Sequence, residues 1–139
     1  PYGEKWNQNI LLNYVEKIEK KGINTISLAD TIGNSSVESI EYIYSTVSQN
    51  FPNLDIGLHL HSNPKDVYNK IQSAWNSGCR RFDVAINGHG GCPFAQDKLI
   101  GNIPTETLLT FLANHKINHS LDLLAFESAY NKARTIFNR

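Results

Sequence analysis

The sequence predicts an α/β fold in which parallel strands alternate with helices. Segments with strand character begin near residues 24, 56 and 81, and a helical segment follows each of them along the chain. Consecutive strands separated by a helix run parallel, because the chain has to cross back over the sheet before the next strand begins. Right-handed crossovers leave two architectures open, an open doubly wound sheet and a part of a (β/α)8 barrel.

The first helix is predicted over residues 5–21, because apolar residues recur there at helical spacing and Gly22 follows as a stop signal. Ser35 or Ser36 is expected to cap a second helix, whose apolar residues form one stripe. Pro52 marks the end of that helix.

Three further helices are predicted in the second half of the chain. Pro64 suits the first turn of the third helix, and Gly78 closes it. Residues 104–114 and 120–137 have the pattern of two closing helices, which start at a proline and a serine.

The three predicted strands are residues 24–29, 56–61 and 81–86. In the second strand, apolar residues alternate with Gly57, His59 and His61, so the two histidines are expected on the same face. The third strand leads into a glycine-rich loop at 87–93, whose backbone is expected to approach other groups closely.

Composition excludes several classes of protein. Hydrophobic residues make up 40% of the 139 residues and charged residues 19%, as in ordinary globular domains. There are 13 Lys plus Arg and 13 Asp plus Glu, so no net field favours nucleic acid or a membrane surface. No apolar run is long enough to span a bilayer and no secretion signal is recognisable, which favours a cytoplasmic protein. The two cysteines do not form the pattern of a disulfide framework.

Residues whose side chains can take part in catalysis or metal binding lie at the end of each predicted strand or follow it. Asp30 ends the first, His59 and His61 end the second, and Asn87 and Cys92 follow the third. The C-terminal ends of parallel strands line one rim of a sheet or barrel, so these groups are expected to converge.

The His-x-His pair is compatible with a metal site, since two imidazoles on one face of a strand can bind the same ion. Asp30 and Asn102 are candidate oxygen donors nearby. The alternative is two ordinary surface or core histidines.

The roles of Cys92 and Asp30 stay open at this level. A thiol held between two glycines and a proline is placed for reactivity, yet the cysteine is equally compatible with a small filler of a tight turn. Asp30 is compatible with a base, with a substrate anchor, and with a simple turn or cap residue. Ordinary structural roles are expected for the other histidines and for the other cysteine, at positions His89, His115, His119 and Cys79.

Four motifs in order resemble hydroxymethylglutaryl-CoA lyase. They are Ser27-Leu28-Ala29-Asp30-Thr31-Ile32-Gly33, Gly57-Leu58-His59-Leu60-His61, Gly88-His89-Gly90-Gly91-Cys92-Pro93-Phe94-Ala95-Gln96 and Gly101-Asn102-Ile103-Pro104-Thr105-Glu106. The resemblance covers nearly the whole chain. It implies that residues 1–139 form the C-terminal portion of a (β/α)8 barrel, namely strands six to eight and the closing helices, with the N-terminal strands missing.

The resemblance also implies the site. In that family Mg²⁺ or Mn²⁺ is held by an aspartate of the first strand, two histidines and an asparagine, and the last three match His59, His61 and Asn102. Cys92 inherits a role in proton transfer, and Asp30 that of an active-site aspartate. Asn87, Gly90 and Gly91 are predicted to contact the substrate.

The implied reaction is the metal-dependent cleavage of hydroxymethylglutaryl-CoA, or a related 3-hydroxyacyl-CoA, to acetoacetate and acetyl-CoA. The sequence contains no methionine and opens as if within a loop. The chain is therefore expected to be a fragment, inactive alone, of an enzyme that forms a homodimer.

Two alternatives remain. A Claisen-type condensing synthase of the isopropylmalate or citramalate kind shares the His-x-His strand, although Gly90-Gly91-Cys92-Pro93 favours the lyase. The other alternative is a non-catalytic partial barrel.

Overall fold

The computed structural model describes residues 5–91 and 100–137. In chain order its elements are α1 (Gln8–Glu19), β1 (Thr25–Asp30), α2 (Val37–Asn50), β2 (Asp55–Leu60), α3 (Val67–Asn76), a 3-10 turn (Ile86–Gly88), α4 (Thr105–Asn114) and α5 (Leu123–Phe137). Strands and helices alternate in the first half of the chain, as predicted. Across these two ranges, no helix has the length and apolar character needed to cross a membrane.

Strands β1 and β2 form a parallel pair, in register from Thr25 opposite Asp55 to Asp30 opposite Leu60. Alternate residues of β2 are buried beneath the helices, namely Ile56, Leu58 and Leu60. The other face of β2 presents Gly57 and His59, and the same alternation continues to His61.

The predicted third strand at 81–86 is wrong. Within this described segment only Phe82 forms a bridge to β2, through hydrogen bonds from Leu58 N–H to the Arg81 carbonyl (3.0 Å) and from Asp83 N–H to the Leu58 carbonyl (3.0 Å). Beyond that bridge the end of β2 pairs with residues 101–103 instead. A continuous ladder to 81–86 is therefore interrupted.

The inserted segment 101–104 pairs on both sides. It pairs antiparallel with β2 at His61, and on its other side Pro104 forms a parallel bridge with Ala85. The Ala85 N–H donates to the Ile103 carbonyl at 3.0 Å. Residues far apart in the sequence thus meet at the C-terminal end of the sheet.

The core lies between the sheet and the helices packed on it. Val47 of α2, Ile71 of α3 and Phe111 of α4 are completely buried. Each such side chain contributes about 1.5–3 kcal/mol by leaving water. This packing gives the two strands a fixed support on one face only.

Side-chain caps define where the first two helices begin. Asn7 caps α1 by accepting a hydrogen bond from the Ile10 N–H, so the helix starts later than the predicted residue 5. Ser36 accepts from the Ser39 N–H and caps α2, as predicted. The helix α2 ends just before Pro52, also as predicted.

Two later helices start beyond the residues predicted for them. Pro64 lies in a turn, and α3 begins only at Val67, because the Asn63 side chain accepts the free N–H groups of that turn. Helix α5 is capped by Asp122 and not by Ser120, since the Asp122 carboxylate accepts from two N–H groups of the first turn.

Candidate functional site

The C-terminal end of the sheet gathers most of the residues that the sequence singled out. The described members are Asp30, His59, His61, Asn87, Gly90, Gly91 and Asn102. Cys92 lies outside the described residues.

The two histidines lie close together on one face of β2. Their ring centroids are 5.0 Å apart, with the rings nearly perpendicular. His61 is 3% exposed, whereas the side chain of His59 is 38% exposed. The alternation of β2 therefore produces the shared orientation that the sequence predicted.

His61 is oriented by the main chain of β1. Its Nδ1 atom lies 2.9 Å from the carbonyl oxygen of Asp30. A carbonyl only accepts, so Nδ1 carries the proton and donates it. The lone pair of Nε2 is then available to a metal ion, an arrangement common among metal-binding histidines.

Asn102 is brought beside His61 by the antiparallel bridge between these two residues. The flanking hydrogen bonds run from Ser62 N–H to Gly101 and from Ile103 N–H to Leu60, so His61 and Asn102 form no main-chain hydrogen bond with each other. Side chains are closest in pairs of this kind and project from the same face. The predicted third ligand thus lies next to the histidines.

The amide of Asn102 is held by the backbone of the glycine-rich loop. Its Nδ2 atom donates to the His89 carbonyl at 2.8 Å. Its Oδ1 atom is buried and has no hydrogen-bond partner within residues 5–91 and 100–137. A buried acceptor without a donor is costly, and a divalent cation would satisfy it.

The donor set therefore fits a divalent cation. It consists of two imidazole nitrogens from His59 and His61 and one amide oxygen from Asn102, a mixture that transition ions such as Mn²⁺ accept. In the part of the chain that the structure describes, no group of three or more His, Cys, Asp or Glu side chains is placed to hold an ion by itself. An amide oxygen would therefore have to be the third donor of a site built from the described residues.

Glycines in the loop allow its backbone to approach Asn102. A Cβ atom on Gly88 would lie 2.6 Å from the Asn102 carbonyl oxygen, and one on Gly101 would lie 2.7 Å from the Gly88 carbonyl oxygen. Gly88 also has a φ of +61°, in the left-handed region. The prediction of close backbone approach is confirmed for the described part of the loop.

Glu106, in the first turn of α4, holds the start of this loop. Its carboxylate accepts from the backbone N–H of Asn87 at 3.0 and 3.1 Å. Asn87 has a φ of +55°, which asparagine tolerates better than most residues. No role for Glu106 followed from the sequence, although a glutamate early in a helix is a known signal for binding free N–H groups.

Asp30 organises the turn that follows β1. Its carboxylate accepts from the Asn34 N–H (3.0 Å), from the Ser35 N–H (2.9 Å) and from the Ser35 hydroxyl. Burial alone would raise the pKa of Asp30, but the hydrogen bonds from Ser35 and the nearby ammonium of Lys70 together lower it below its ordinary value. Asp30 is therefore ionised at neutral pH.

Lys70, on α3, is a site residue that the sequence did not reveal. It is 4% exposed. Its ammonium donates to Asp30 Oδ2 (3.3 Å) and to the carbonyl oxygens of Gly33 (2.9 Å) and His61 (3.0 Å). One buried cation therefore links the ends of β1 and β2.

A cavity of about 890 Å³ lies between the glycine-rich loop and α5, beside the contact of the His89 and Phe137 rings, whose centroids are 4.6 Å apart. Residues 87–91 and Gly101 form one wall, and Tyr130, Arg134 and Phe137 form the other. The three residues predicted to contact the substrate, Asn87, Gly90 and Gly91, all line it.

Comparison with known proteins shows the family of this chain. A family model described as HMGL-like matches residues 2–132. An (R)-citramalyl-CoA lyase of Chloroflexus aurantiacus is 34% identical over 108 residues, which cover 78% of this chain and 34% of that protein. A hydroxymethylglutaryl-CoA lyase of Bacillus subtilis is 29% identical over 129 residues, which cover 93% of this chain and 43% of that protein.

The fold agrees with these sequence matches. The structure of an HMG-CoA lyase from Acinetobacter baumannii, in complex with coenzyme A and 3-methylmalate, matches with a TM-score of 0.87 at 30% identity. The match covers 100% of this chain and 45% of that one. The chain thus spans less than half the length of each of these proteins.

Proposed function

Because this chain belongs to the HMGL-like family, we propose that it forms the metal-binding part of a carbon–carbon lyase. The substrate is hydroxymethylglutaryl-CoA or a related 3-hydroxyacyl-CoA, and the products from hydroxymethylglutaryl-CoA are acetoacetate and acetyl-CoA. The observation that carries this proposal is the buried Oδ1 of Asn102 beside His61, which has no hydrogen-bond partner among residues 5–91 and 100–137. A purely structural asparagine would have both ends of its amide satisfied.

The architecture proposed is the C-terminal portion of a (β/α)8 barrel. Strands β1 and β2 and the irregular segment 81–85 take the places of strands six, seven and eight. The chain spans 34% and 43% of the length of the two relatives compared. The remaining strands, and a carboxylate ligand for the ion, would come from further sequence of a longer cytoplasmic protein that forms a homodimer.

The chemistry follows from the donor set. His59, His61 and Asn102 would hold Mg²⁺ or Mn²⁺, which when bound supplies polarisation of the hydroxyl and carbonyl oxygens of the substrate. The ionised carboxylate of Asp30 accepts the proton of the tertiary hydroxyl, and a ketone forms as the adjacent carbon–carbon bond breaks. The electron pair of that bond passes to the thioester enolate, which the Cys92 thiol protonates to give acetyl-CoA.

The cavity beside the loop is the proposed entrance for the acyl-CoA. Asn87 lines it with a side-chain amide, and Gly90 and Gly91 line it with main-chain groups, which can donate to the thioester end. Arg134 on the opposite wall carries a positive charge suited to the phosphates of coenzyme A.

The likeness to an (R)-citramalyl-CoA lyase, the higher of the two identities at 34%, makes (R)-citramalyl-CoA a second candidate substrate. Cleavage of either compound gives acetyl-CoA. The two candidates are therefore compared by measuring acetyl-CoA formation from each, under the same conditions.

The decisive experiment is a cleavage assay with the full-length protein after treatment with a chelator. We expect acetyl-CoA to form only after Mg²⁺ or Mn²⁺ is restored. Asn102→Ala should lose most of this activity, whereas Asn114→Ala should retain it. Asn114 is a matched control because it is an exposed amide on α4 whose side chain donates to the Tyr68 hydroxyl, away from the histidines.

Each other outcome points to a different reading. A condensing synthase would release free CoA when given acetyl-CoA and a 2-oxo acid, and would cleave neither hydroxymethylglutaryl-CoA nor (R)-citramalyl-CoA. Neither cleavage nor condensation with any divalent ion would indicate a non-catalytic barrel.

A further inference from the structure

We propose that Asp83 is a positioning residue for His59, and that it holds the imidazole in the tautomer that leaves Nε2 free for a divalent cation. The proposal rests on the proposed metal site and adds a residue to which neither the motifs nor the resemblance assigned a role. His59 Nδ1 lies 3.7 Å from Asp83 Oδ2, beyond hydrogen-bond distance but near enough for the carboxylate to attract a proton carried by Nδ1. The carboxylate thus faces the ring nitrogen that is not needed for the ion.

The Asp83 carboxylate is itself held in place. The Ser27 hydroxyl donates to Oδ2 at 2.7 Å, and Arg81 Nη1 lies 3.8 Å from Oδ1. One oxygen is therefore held by a hydrogen bond from β1, and the other is attracted by the guanidinium of the segment that carries Asp83. A carboxylate restrained in this way can orient a third group, whereas a freely mobile one would lose entropy in doing so.

Arg81 fixes this network to the sheet. Its guanidinium donates to the carbonyl oxygen of Ile26, and to that of Asp55 at 3.2 Å, while Nη1 donates to the Ser27 hydroxyl at 3.2 Å. The guanidinium lies over Gly57, where a Cβ atom would be 2.7 Å from Cζ. The glycine of Gly57-Leu58-His59 thus leaves room for the arginine that supports Asp83.

The two histidines would then be oriented by different acceptors. His61 donates from Nδ1 to the main-chain carbonyl of Asp30. His59 has no main-chain acceptor of that kind among the described residues, and Asp83 is the carboxylate that faces its Nδ1. A carboxylate behind a metal-binding imidazole selects the tautomer and makes the coordinating nitrogen more basic.

The first test measures the tautomer without any metal. The full-length protein is labelled with ¹⁵N-histidine and observed by long-range ¹H–¹⁵N correlation at about pH 8, where an ordinary imidazole is neutral. His59→Gln identifies the resonances of His59. We expect the Nδ1–H tautomer in the parent protein and a shift towards Nε2–H in Asp83→Ala. A parent protein with His59 in the Nε2–H form would overturn the proposal.

The second test measures Mn²⁺ affinity by electron paramagnetic resonance. Asp83→Ala should raise the dissociation constant about ten-fold or more, the usual cost of losing such a partner, and Asp83→Asn should cause a smaller increase. Asp55→Asn is the matched control, because Asp55 pairs with Arg81 at 3.1 Å at the far end of β2. We expect its affinity to match the parent.

These outcomes separate this proposal from the metal site itself. Loss of affinity in His61→Ala with normal affinity in both Asp83 variants would leave the metal site intact and overturn the role of Asp83. Equal losses in Asp55→Asn and Asp83→Asn would show that the effect comes from the Arg81 network. If Asp83→Ala does not fold, the proposal is tested by the Mn²⁺ affinity of Asp83→Asn and by the tautomer of His59 in the parent protein.

Discussion

His61 and His59 differ in burial, so their replacement should have different costs. We predict that either His59→Ala or His61→Ala weakens Mn²⁺ binding by the full-length protein at least about ten-fold, since each removes one imidazole donor. His61→Ala should also lower the free energy of unfolding, because it removes one hydrogen bond from the partly buried carbonyl of Asp30, which also accepts from the Gly33 N–H at 3.3 Å. Calorimetric titration and urea unfolding measure the two effects.

Unchanged Mn²⁺ affinity in both variants, with both folded, would remove the histidine pair from the metal site. The two rings, 5.0 Å apart, would then be ordinary packing neighbours.

Cys92 is predicted to act on the reaction and not on the ion. Cys92→Ser in the full-length enzyme should lower turnover strongly and leave Mn²⁺ affinity within a few-fold of the parent, because a proton donor acts in the transition state. Parallel measurements of kcat and of the Mn²⁺ dissociation constant test this. An equal loss in both would make Cys92 a ligand.

Single residues differ in how far the sequence predicts them. The alternation of His59 and His61 follows from strand periodicity alone. Asn102 required the resemblance, because its proximity to His61 arises from a bridge between distant segments. Lys70 was not predicted, since nothing in the helical pattern distinguishes a lysine that folding buries from one in solvent.

At the scale of elements, the glycine-rich loop determines where Asn102 lies. We predict that Gly88→Ala weakens Mn²⁺ binding and lowers stability, because the added Cβ meets the Asn102 carbonyl oxygen at 2.6 Å. Gly22→Ala is the control: its φ is also positive, at +82°, but nothing lies within 4 Å of the added Cβ. Gly22→Ala should therefore show only the backbone strain, roughly 1–2 kcal/mol, and normal affinity.

The comparison of these two variants isolates the steric contact. Mn²⁺ affinity unchanged in folded Gly88→Ala would mean that the loop does not position the amide. Thermal unfolding of both variants shows whether the strain is matched.

Tyr44 connects α2 to the start of β2 by a hydrogen bond. Its hydroxyl donates to the Ile56 carbonyl at 3.2 Å, and burial is the main cause that raises the pKa of Tyr44 from 10.0 to about 12, with Cys79 contributing. A raised pKa favours the neutral form in the folded state. The stability this provides is complete below pH 10 and is lost as pH rises towards 12.

We therefore predict that the free energy of unfolding falls more steeply between pH 10 and 12 in the parent than in Tyr44→Phe. Near neutral pH the variant should be less stable by about 1 kcal/mol, from the lost hydrogen bond. Urea unfolding at several pH values measures both. Identical slopes would show that Tyr44 ionises equally easily in the folded and unfolded protein.

The elements themselves were predicted unevenly. Helices α1 to α4, which have clear apolar stripes or caps, were predicted to within a few residues. The predicted start of α5 at Ser120 was too early, because the helix is capped by Asp122. The segment 81–86 has strand-like residues but does not form a strand. Residues 101–103 pair with the C-terminal end of β2, where the segment 81–86 would otherwise continue its pairing. The local sequence pattern does not show which of two distant segments pairs with a strand.

At the scale of the whole molecule, parallel strands followed from the alternation of elements, but the choice of a barrel came from the resemblance. The helices cover one face of the sheet, while the face with His59 and Asp83 keeps both side chains about two-fifths exposed, at 38% and 40%. A closed barrel needs more strands than the two that the described residues form.

We predict that the 139-residue chain alone has no lyase activity with Mg²⁺ or Mn²⁺ and forms dimers or larger species. Two imidazoles and one amide neutralise little of the charge of the ion, and the uncovered sheet edges favour association. Light scattering and an acetoacetate-release assay test both parts. A stable monomer that turns over at ~1 s⁻¹ or faster would contradict the prediction.

The contact between Lys70 and Asp30 has a consequence for the order in which ligands bind. Because the negative charge of Asp30 is already matched by a buried ammonium 3.3 Å away, little of it remains to attract a second cation. An anionic substrate would itself provide the missing counter-charge. Ion and substrate should then bind with positive heterotropic cooperativity, and by linkage each should raise the affinity for the other by the same factor.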